Sequence, residues 1–547
     1  SDIGASSITN IAGETIAASP DTDGDGLVDT SELILGFDAF TPEHPRELDF
    51  QGDVYVAAGT TLSIAGTWTV HGTTTVRGTL EADGAGASYS GLSPADLDGG
   101  AVQSRNGGLV SLAATTTLAD MDVTVDADDG STIDLSALTA FTGGTLTIRN
   151  VGTVNLASLA NLDEGGVSVF DGADVSLPLV TEYRYTRESD STLFVVGEGS
   201  ALRMPNLELI IHDTPLVDRI VLQSQVANDG LLELDGLATI VRPADDNVVA
   251  FEVAGTGLLN LSAMSESGTT QFDVIDGASV SLPGIFGEFE RSTINIDAGA
   301  SFDVSQADAF DDVHVRSAGV FNAPGVETMT FSSVELSEEA VLTFGVLTAL
   351  DSTRISVADS TRFVAPLLRD FTGVSNASLI VVSDDGEFSA PLLRTLRNVR
   401  VMALAGGQVM LPGVTEYVWD AAPLSATAFF AAGETDDGRA SQILLSSLAR
   451  IRLLTSGNGQ QILTIDAEDM GVIDLPVLRT IGVLDGQDLV RIHLDSGGTV
   501  LLPVLTDLSQ LAIDLDGESA LTLPAASGDL LAATVSIEAA ATLTLSN

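Results

Sequence analysis

Val175–Tyr183 reads VSLPLVTEY, and Val409–Tyr417, 234 residues further on, reads VMLPGVTEY. A phrase written twice is either a duplicated site or two crests of a repeat that runs through the chain. The surrounding frame decides between them. A glycine or acidic turn, alternating apolar residues, then Leu-Pro or Leu-Ser with a further Leu or Val recur many times. They read GSTIDLSAL from Gly130, GTVNLASL from Gly152, GADVSLPLV from Gly172, GSALRMPNL from Gly199, GLLNLSAM from Gly257 and GASVSLPGI from Gly277. Later copies are GEFSAPLL from Gly386, GVIDLPVL from Gly471, GTVLLPVL from Gly498 and SALTLPA from Ser519. Their spacing of about 20 to about 31 residues is that of a solenoid.

Short alternating runs precede these glycines, as in TLTIRNVG, VSVFDG, FDVIDG, INIDAG, VHVRSAG, LTIDAED and RIHLDSGG. Alternation turns one face inward and the other to water. A unit therefore reads strand, tight turn, strand, proline corner, and a connection of variable length. Pro178, Pro283, Pro412, Pro476 and Pro503 belong where a strand ends, because proline cannot donate to a ladder.

One unit of about two dozen residues cannot bury its own leucines, so stability requires stacking. Stacking places Leu135, Leu156, Leu177, Leu261, Leu282, Leu411, Leu475, Leu502 and Leu523 in interior files, each contributing about 1.5–3 kcal/mol when buried. The expected fold is all-β, a parallel β-helix or β-solenoid of about 20 coils. The competing fold is a sandwich or propeller of irregular leucine-rich strands. Three segments are expected: 1–46, an N-terminal segment; 47–129, initial coils with a shorter period; and 130–547, the Leu-Pro coils.

The shorter period lies in Gly59–Gly84, GTTLSIAGTWTVHGTTTVRGTLEADG, where Gly66, Gly72, Gly78 and Gly84 recur about every six residues with Ile64, Val70, Val76 and Ala82. Three such strands complete a small triangular turn. This stretch resembles the opening coils of secreted bacterial right-handed parallel β-helices, and the Leu-Pro units look somewhat like receptor L-domain coils. Residues 85 to 129 have weaker periodicity and are expected to be irregular coils.

Asp21-Thr-Asp-Gly-Asp-Gly-Leu-Val-Asp-Thr-Ser-Glu32 has the spacing of a twelve-residue calcium loop. Asp21, Asp23 and Asp25 supply carboxylates at positions one, three and five, and Gly26 permits the turn at six. The Leu27 carbonyl serves position seven, Asp29 position nine, and Glu32 position twelve as a bidentate ligand. A solvated acidic loop is the plainer alternative. DTDGDGLVDTSELILGFD also resembles the aspartate-rich repeats of thrombospondin type 3 and dockerin-like modules in secreted bacterial proteins. Those modules come as tandem loops, and here no second DxDxDG follows, which implies modest affinity. SELILGFD is expected to form a short helix, with the boundary to the coils at Phe40–Arg46.

The 547 residues carry 77 acidic and 22 basic side chains, for a net charge of −55. Such a surface repels nucleic acid and anionic membranes. All basic residues are arginine, which removes Schiff-base chemistry, a P-loop lysine and isopeptide cross-links. The bias suits salty or calcium-rich surroundings, or reflects a GC-rich genome. With no cysteine there is no disulfide and no thiolate site. No apolar run approaches the ~18 residues of a membrane span. The chain opens SDIGASS, without an initiator Met or a basic leader, so a processed secreted protein is expected.

A catalytic constellation is hard to find. His44, His71, His212, His314 and His493 are scattered, with no pair at ligand spacing, and no GxSxG occurs. The clustered NTD, DD and GHG motifs of pectin hydrolases are absent from the sequence. Asp128–Asp129, Asp245–Asp246, Asp311–Asp312 and Asp384–Asp385 are turn pairs that serve hydrolysis only if two carboxylates face each other at about 5–10 Å. Tyr183, Arg184, Tyr185 and Arg187 in EYRYTRESD form an aromatic and arginine cluster, either a grip for a sugar or acidic partner or a locally paired surface.

The expectation is a non-enzymatic, extracellular or cell-surface structural or adhesive solenoid with calcium as its cofactor. The final ATLTLSN looks like the start of another coil, so end-to-end self-association into a filament is expected, with 1–19 able to supply a complementing strand. Alternatives are a carbohydrate-active β-helix enzyme and a monomeric adhesin module binding extracellular glycans.

Overall fold

A computed structural model describes residues 8–9, 15–16, 47–213, 221–241, 247–265, 269–284, 287–374, 378–420, 425–435, 437–454, 461–483, 488–505, 511–524, 534–538 and 540–546. Every described element is a strand. Apart from the antiparallel pair Ile8–Thr9 with Thr15–Ile16, the strand pairings with a described register are parallel and join one winding of the chain to the next. The protein is an all-β parallel solenoid. It divides into two compact units, Ser1–Gln271 with Ala278–Ser281, and Phe272–Gly277 with Leu282–Asn547.

In the first unit the hexad stretch forms one triangular coil. Thr61–Ile64, Thr67–Val70 and Thr74–Val76 are its three sides, and Thr79–Asp83 returns above the first, with Thr61 opposite Thr79. Ile64, Val70, Val76 and Ala82 all point inward and are buried. Residues 85 to 129 are more regular than their sequence suggests: Ala101–Arg105 pairs in register with Thr79–Asp83 below and Val123–Ala127 above. Their alternation was masked by small inward residues such as Ala87, Ser104 and Ala127.

Later coils keep three sides. In the coil that carries the quoted phrase, Gly166–Phe170 forms side A, Asp174–Ser176 side B and Glu182–Tyr185 side C. Sides A and B are joined by Asp171-Gly172, both left-handed (φ 60° and 81°), and the Ala173 amide donates to the Phe170 carbonyl at 3.2 Å. Two consecutive positive φ values favour Asp, Asn and Gly, hence the acidic and glycine turns. Here that turn bends the chain around a corner and does not make a hairpin.

The proline corner follows. Leu177 accepts from the Val180 amide (3.4 Å) across Pro178-Leu179, so proline takes the turn position for which its φ is already set. Leu411 with Val414, Leu475 with Leu478 and Leu502 with Leu505 repeat the bond around Pro412, Pro476 and Pro503 in the second unit. The segment after the corner is not a mere connection. Thr-Glu-Tyr of the phrase opens side C, where Glu182–Tyr185 pairs with Leu209–His212, and Tyr183 and Tyr417 are buried.

All nine leucines expected in interior files are buried, none more than 3% exposed. The second unit adds a file of rings: Phe272, Phe302, Phe321, Phe344, Phe363 and Phe388 follow one another with centroids 5.1–6.2 Å apart. Such contacts are worth about 0.5–1.5 kcal/mol each beyond burial. Between coils the backbone approaches closely. A Cβ at Gly498 would lie 1.9 Å from the Ala467 carbonyl oxygen, so only glycine fits after that turn.

Candidate functional site

The calcium-loop residues Asp21, Asp23, Asp25, Leu27, Asp29 and Glu32 lie outside the described residues, as do the expected helix and Asp245–Asp246.

The EYRYTRESD cluster is described, and its two kinds of side chain part company. Tyr183 and Tyr185 point into the core, and the Tyr185 hydroxyl donates to the Ser189 carbonyl at 2.7 Å. Arg184 pairs with Glu182 (3.2 Å) and Asp213 (3.6 Å), while Arg187 reaches Glu164 (2.8 Å) on the preceding coil and Asp120 two coils before that. Hydrogen bonds from Thr186 and Arg187 hold the Glu164 carboxyl below the usual glutamate range. The arrangement is a locally paired surface over buried rings, with no aromatic face offered to a ligand by these two tyrosines.

Asp128, Asp312, Asp384 and Asp385 serve the structure of their turns. Asp128 accepts from Ser131 and from the Asn106 amide (2.9 Å); burial raises its carboxyl, but these bonds outweigh it and leave it lowered. Asp312, Asp384 and Asp385 take the left-handed backbone their turns require (φ 56°, 49° and 63°). Asp385 also meets Arg439 at 3.3 Å. Together with Ser360, Arg362, Glu387, Thr435 and Asp437 they line an open polar recess of about 300 Å³.

The histidines separate widely. His71 lies 2.6 Å from Asp49, His314 lies 2.9 Å from the Ser333 hydroxyl, and His212 is buried edge-on to Tyr185 (centroids 5.8 Å apart). His493 differs. It is the register partner of Asp466 on the preceding coil, and its Nδ1 lies 2.8 Å from Asp466 Oδ1 and 3.7 Å from Glu468 Oε1. Its Nε2 lies 3.5 Å from Asp516 Oδ2 on the following coil. Burial would lower the imidazole pKa, but the surrounding carboxylates, Asp466 first, carry it above its ordinary value. Glu468 is raised by burial and by the neighbouring Asp466.

Reading the histidines one by one missed this group, yet the sequence holds a signal for it. Asp466 stands nine residues before Leu475, and His493 nine before Leu502. Counting back from the leucine file sets the two in register.

No family model, curated protein or solved structure matches the chain.

Proposed function

We propose that the chain is an extracellular structural or adhesive β-solenoid, a calcium-stabilised surface-fibre subunit that associates end to end and performs no catalysis. The observation that carries this is the uniform use of the described chain. Coil after coil in each unit spends its inward side chains on apolar files, joined in the second unit by the phenylalanine file, and turn aspartates such as Asp171 and Asp385 on backbone geometry. The net charge of −55 supports a surface that stays in solution and avoids nucleic acid. The calcium part rests on the spacing of Asp21 through Glu32. Parallel strands of the kind found here can be extended by another subunit's strand, because a coil edge presents unpaired N–H and C=O groups. Electron microscopy and sedimentation of purified protein in calcium test the proposal. End-to-end fibres are expected, and a monomer at high concentration without fibres contradicts the assembly.

A second reading, a glycan-binding adhesin module, is favoured by the recess at Arg362, Asp385, Glu387 and Arg439. Its mixture of guanidinium and carboxylate groups suits a hydroxyl-rich ligand. Glycan-array binding lost on Arg439→Ala supports it. Reducing-sugar release from acidic polysaccharides would instead indicate an enzyme.

A further inference from the structure

Asp466 and Glu468 project from the outward side of Ile462–Glu468, two residues apart, and His493 stands over Asp466 on Leu489–Leu494. The imidazole is pressed between carboxylates: Asp466 and Glu468 on the Nδ1 side, Asp516 on the Nε2 side. A neutral imidazole carries one N–H, so one ring nitrogen keeps a lone pair. With carboxylates on both sides, that lone pair faces another lone pair unless a second ring proton or a metal ion lies between them. The cluster therefore carries a vector for a positive ligand, beyond being acidic.

We propose that His493 Nδ1, Asp466 and Glu468 form a binding site for a divalent metal ion that accepts mixed nitrogen and oxygen ligands, of the zinc or manganese class. The three ligand atoms lie within 4.8 Å of one another. Bonds of about 2.0–2.2 Å place the donors of a tetrahedral ion about 3–3.5 Å apart. The separations of 2.8 Å and 3.7 Å from Nδ1 bracket that value, and side-chain rotation closes a set in which no separation exceeds 4.8 Å. Asp516, 3.5 Å from Nε2, stands where it can take the Nε2–H and hold the tautomer that aims Nδ1 at the ion, the place of a carboxylate behind a metal-bound histidine. The imidazole donor and the small number of oxygens disfavour calcium, which takes six to eight hard oxygens. The site is thereby distinct in chemistry from the oxygen-only loop at Asp21–Glu32. Three protein ligands leave a coordination position for water or for a group on another molecule. Ligands from two coils, braced from a third, make the ion a staple along the stack.

Zinc titration of the full chain by calorimetry, with calcium in excess to saturate oxygen-only sites, tests the assignment. One tight zinc per chain is expected. Affinity should fall about a hundredfold in His493→Ala and in Asp466→Asn, and about ten- to a hundredfold in Asp516→Asn. Glu32→Gln and His314→Ala should leave it unchanged. Cobalt(II) gives a second readout, with visible absorption bands in wild type that His493→Ala abolishes. Should His493→Ala fail to fold, the histidine ring resonances of wild type keep the test open: zinc should shift those of His493 and spare those of His314. Zinc uptake that is weak, or equal in wild type and His493→Ala, overturns the proposal and assigns the space between the carboxylates to a second proton.

Discussion

The amide of Leu177 donates to the carbonyl of Arg203 at 2.8 Å, across one full winding of the chain. The same leucine accepts from Val180 to close the proline corner, and its side chain is buried. One residue thus joins coil to coil, turns the chain and fills the core.

Leu177→Ala should therefore destabilise the first unit by about 2–5 kcal/mol, the range for emptying a packed leucine site. Leu179→Ala, half-exposed two residues on, should cost under about 0.5 kcal/mol. Urea denaturation of the two variants measures the difference. Equal midpoints would place Leu177 outside the load of the core.

Two glycines of the second unit separate steric from conformational cost. Gly299 is left-handed (φ 80°) with nothing within 4 Å of a Cβ, so Gly299→Ala should cost about 1–2 kcal/mol. Gly498→Ala drives a methyl group into the Ala467 carbonyl and should cost about 3 kcal/mol or more. Thermal melts of both variants decide whether coils approach as closely as described.

Glu164 predicts part of the acid limb. Its carboxyl is lowered from 4.5 by Thr186 and Arg187, so below that value the unfolded chain binds the proton first. The stability it contributes is complete above pH 4.5 and drains away as pH falls through the lower folded value. Glu164→Gln should lose less melting temperature than wild type over that interval. Parallel curves would show that the contacts with Thr186 and Arg187 hold no net charge preference.

Calcium should bind the Asp21–Glu32 loop with a dissociation constant on the order of 10⁻⁵ to 10⁻³ M. Calorimetry should show this heat lost in Glu32→Gln and retained in His493→Ala. A Glu32→Gln chain that titrates like wild type would make the loop a solvated acidic segment.

Much of the fold is legible in the sequence because its strongest signals are local. Leu-Pro corners and acidic turns are each written within four residues, so Leu177, Pro178 and the turn at Asp171-Gly172 can be placed without the structure. Side C escaped because it follows the corner with varied composition and few flanking turn residues, as in Glu182–Tyr185 and Leu209–His212. The phenylalanine file escaped because neighbours such as Phe321 and Phe344 stand in frames without a Leu-Pro corner. The His493 group depends on register between coils of unequal length, which no single segment encodes. Thr61 meets Thr79 eighteen residues on, whereas Phe430 meets Asp466 thirty-six residues on.

The chain has no cysteine, so a single engineered pair can test the stacking directly. Ser176 faces Arg203 on the next coil, and Arg203 faces Glu233 on the one after. Oxidised Ser176→Cys/Arg203→Cys should form an intramolecular disulfide in high yield, because register partners about 4.8 Å apart fall within disulfide reach. Ser176→Cys/Glu233→Cys, two coils apart, should not. Failure of the first pair, or equal yield from both, would contradict a parallel solenoid in this register.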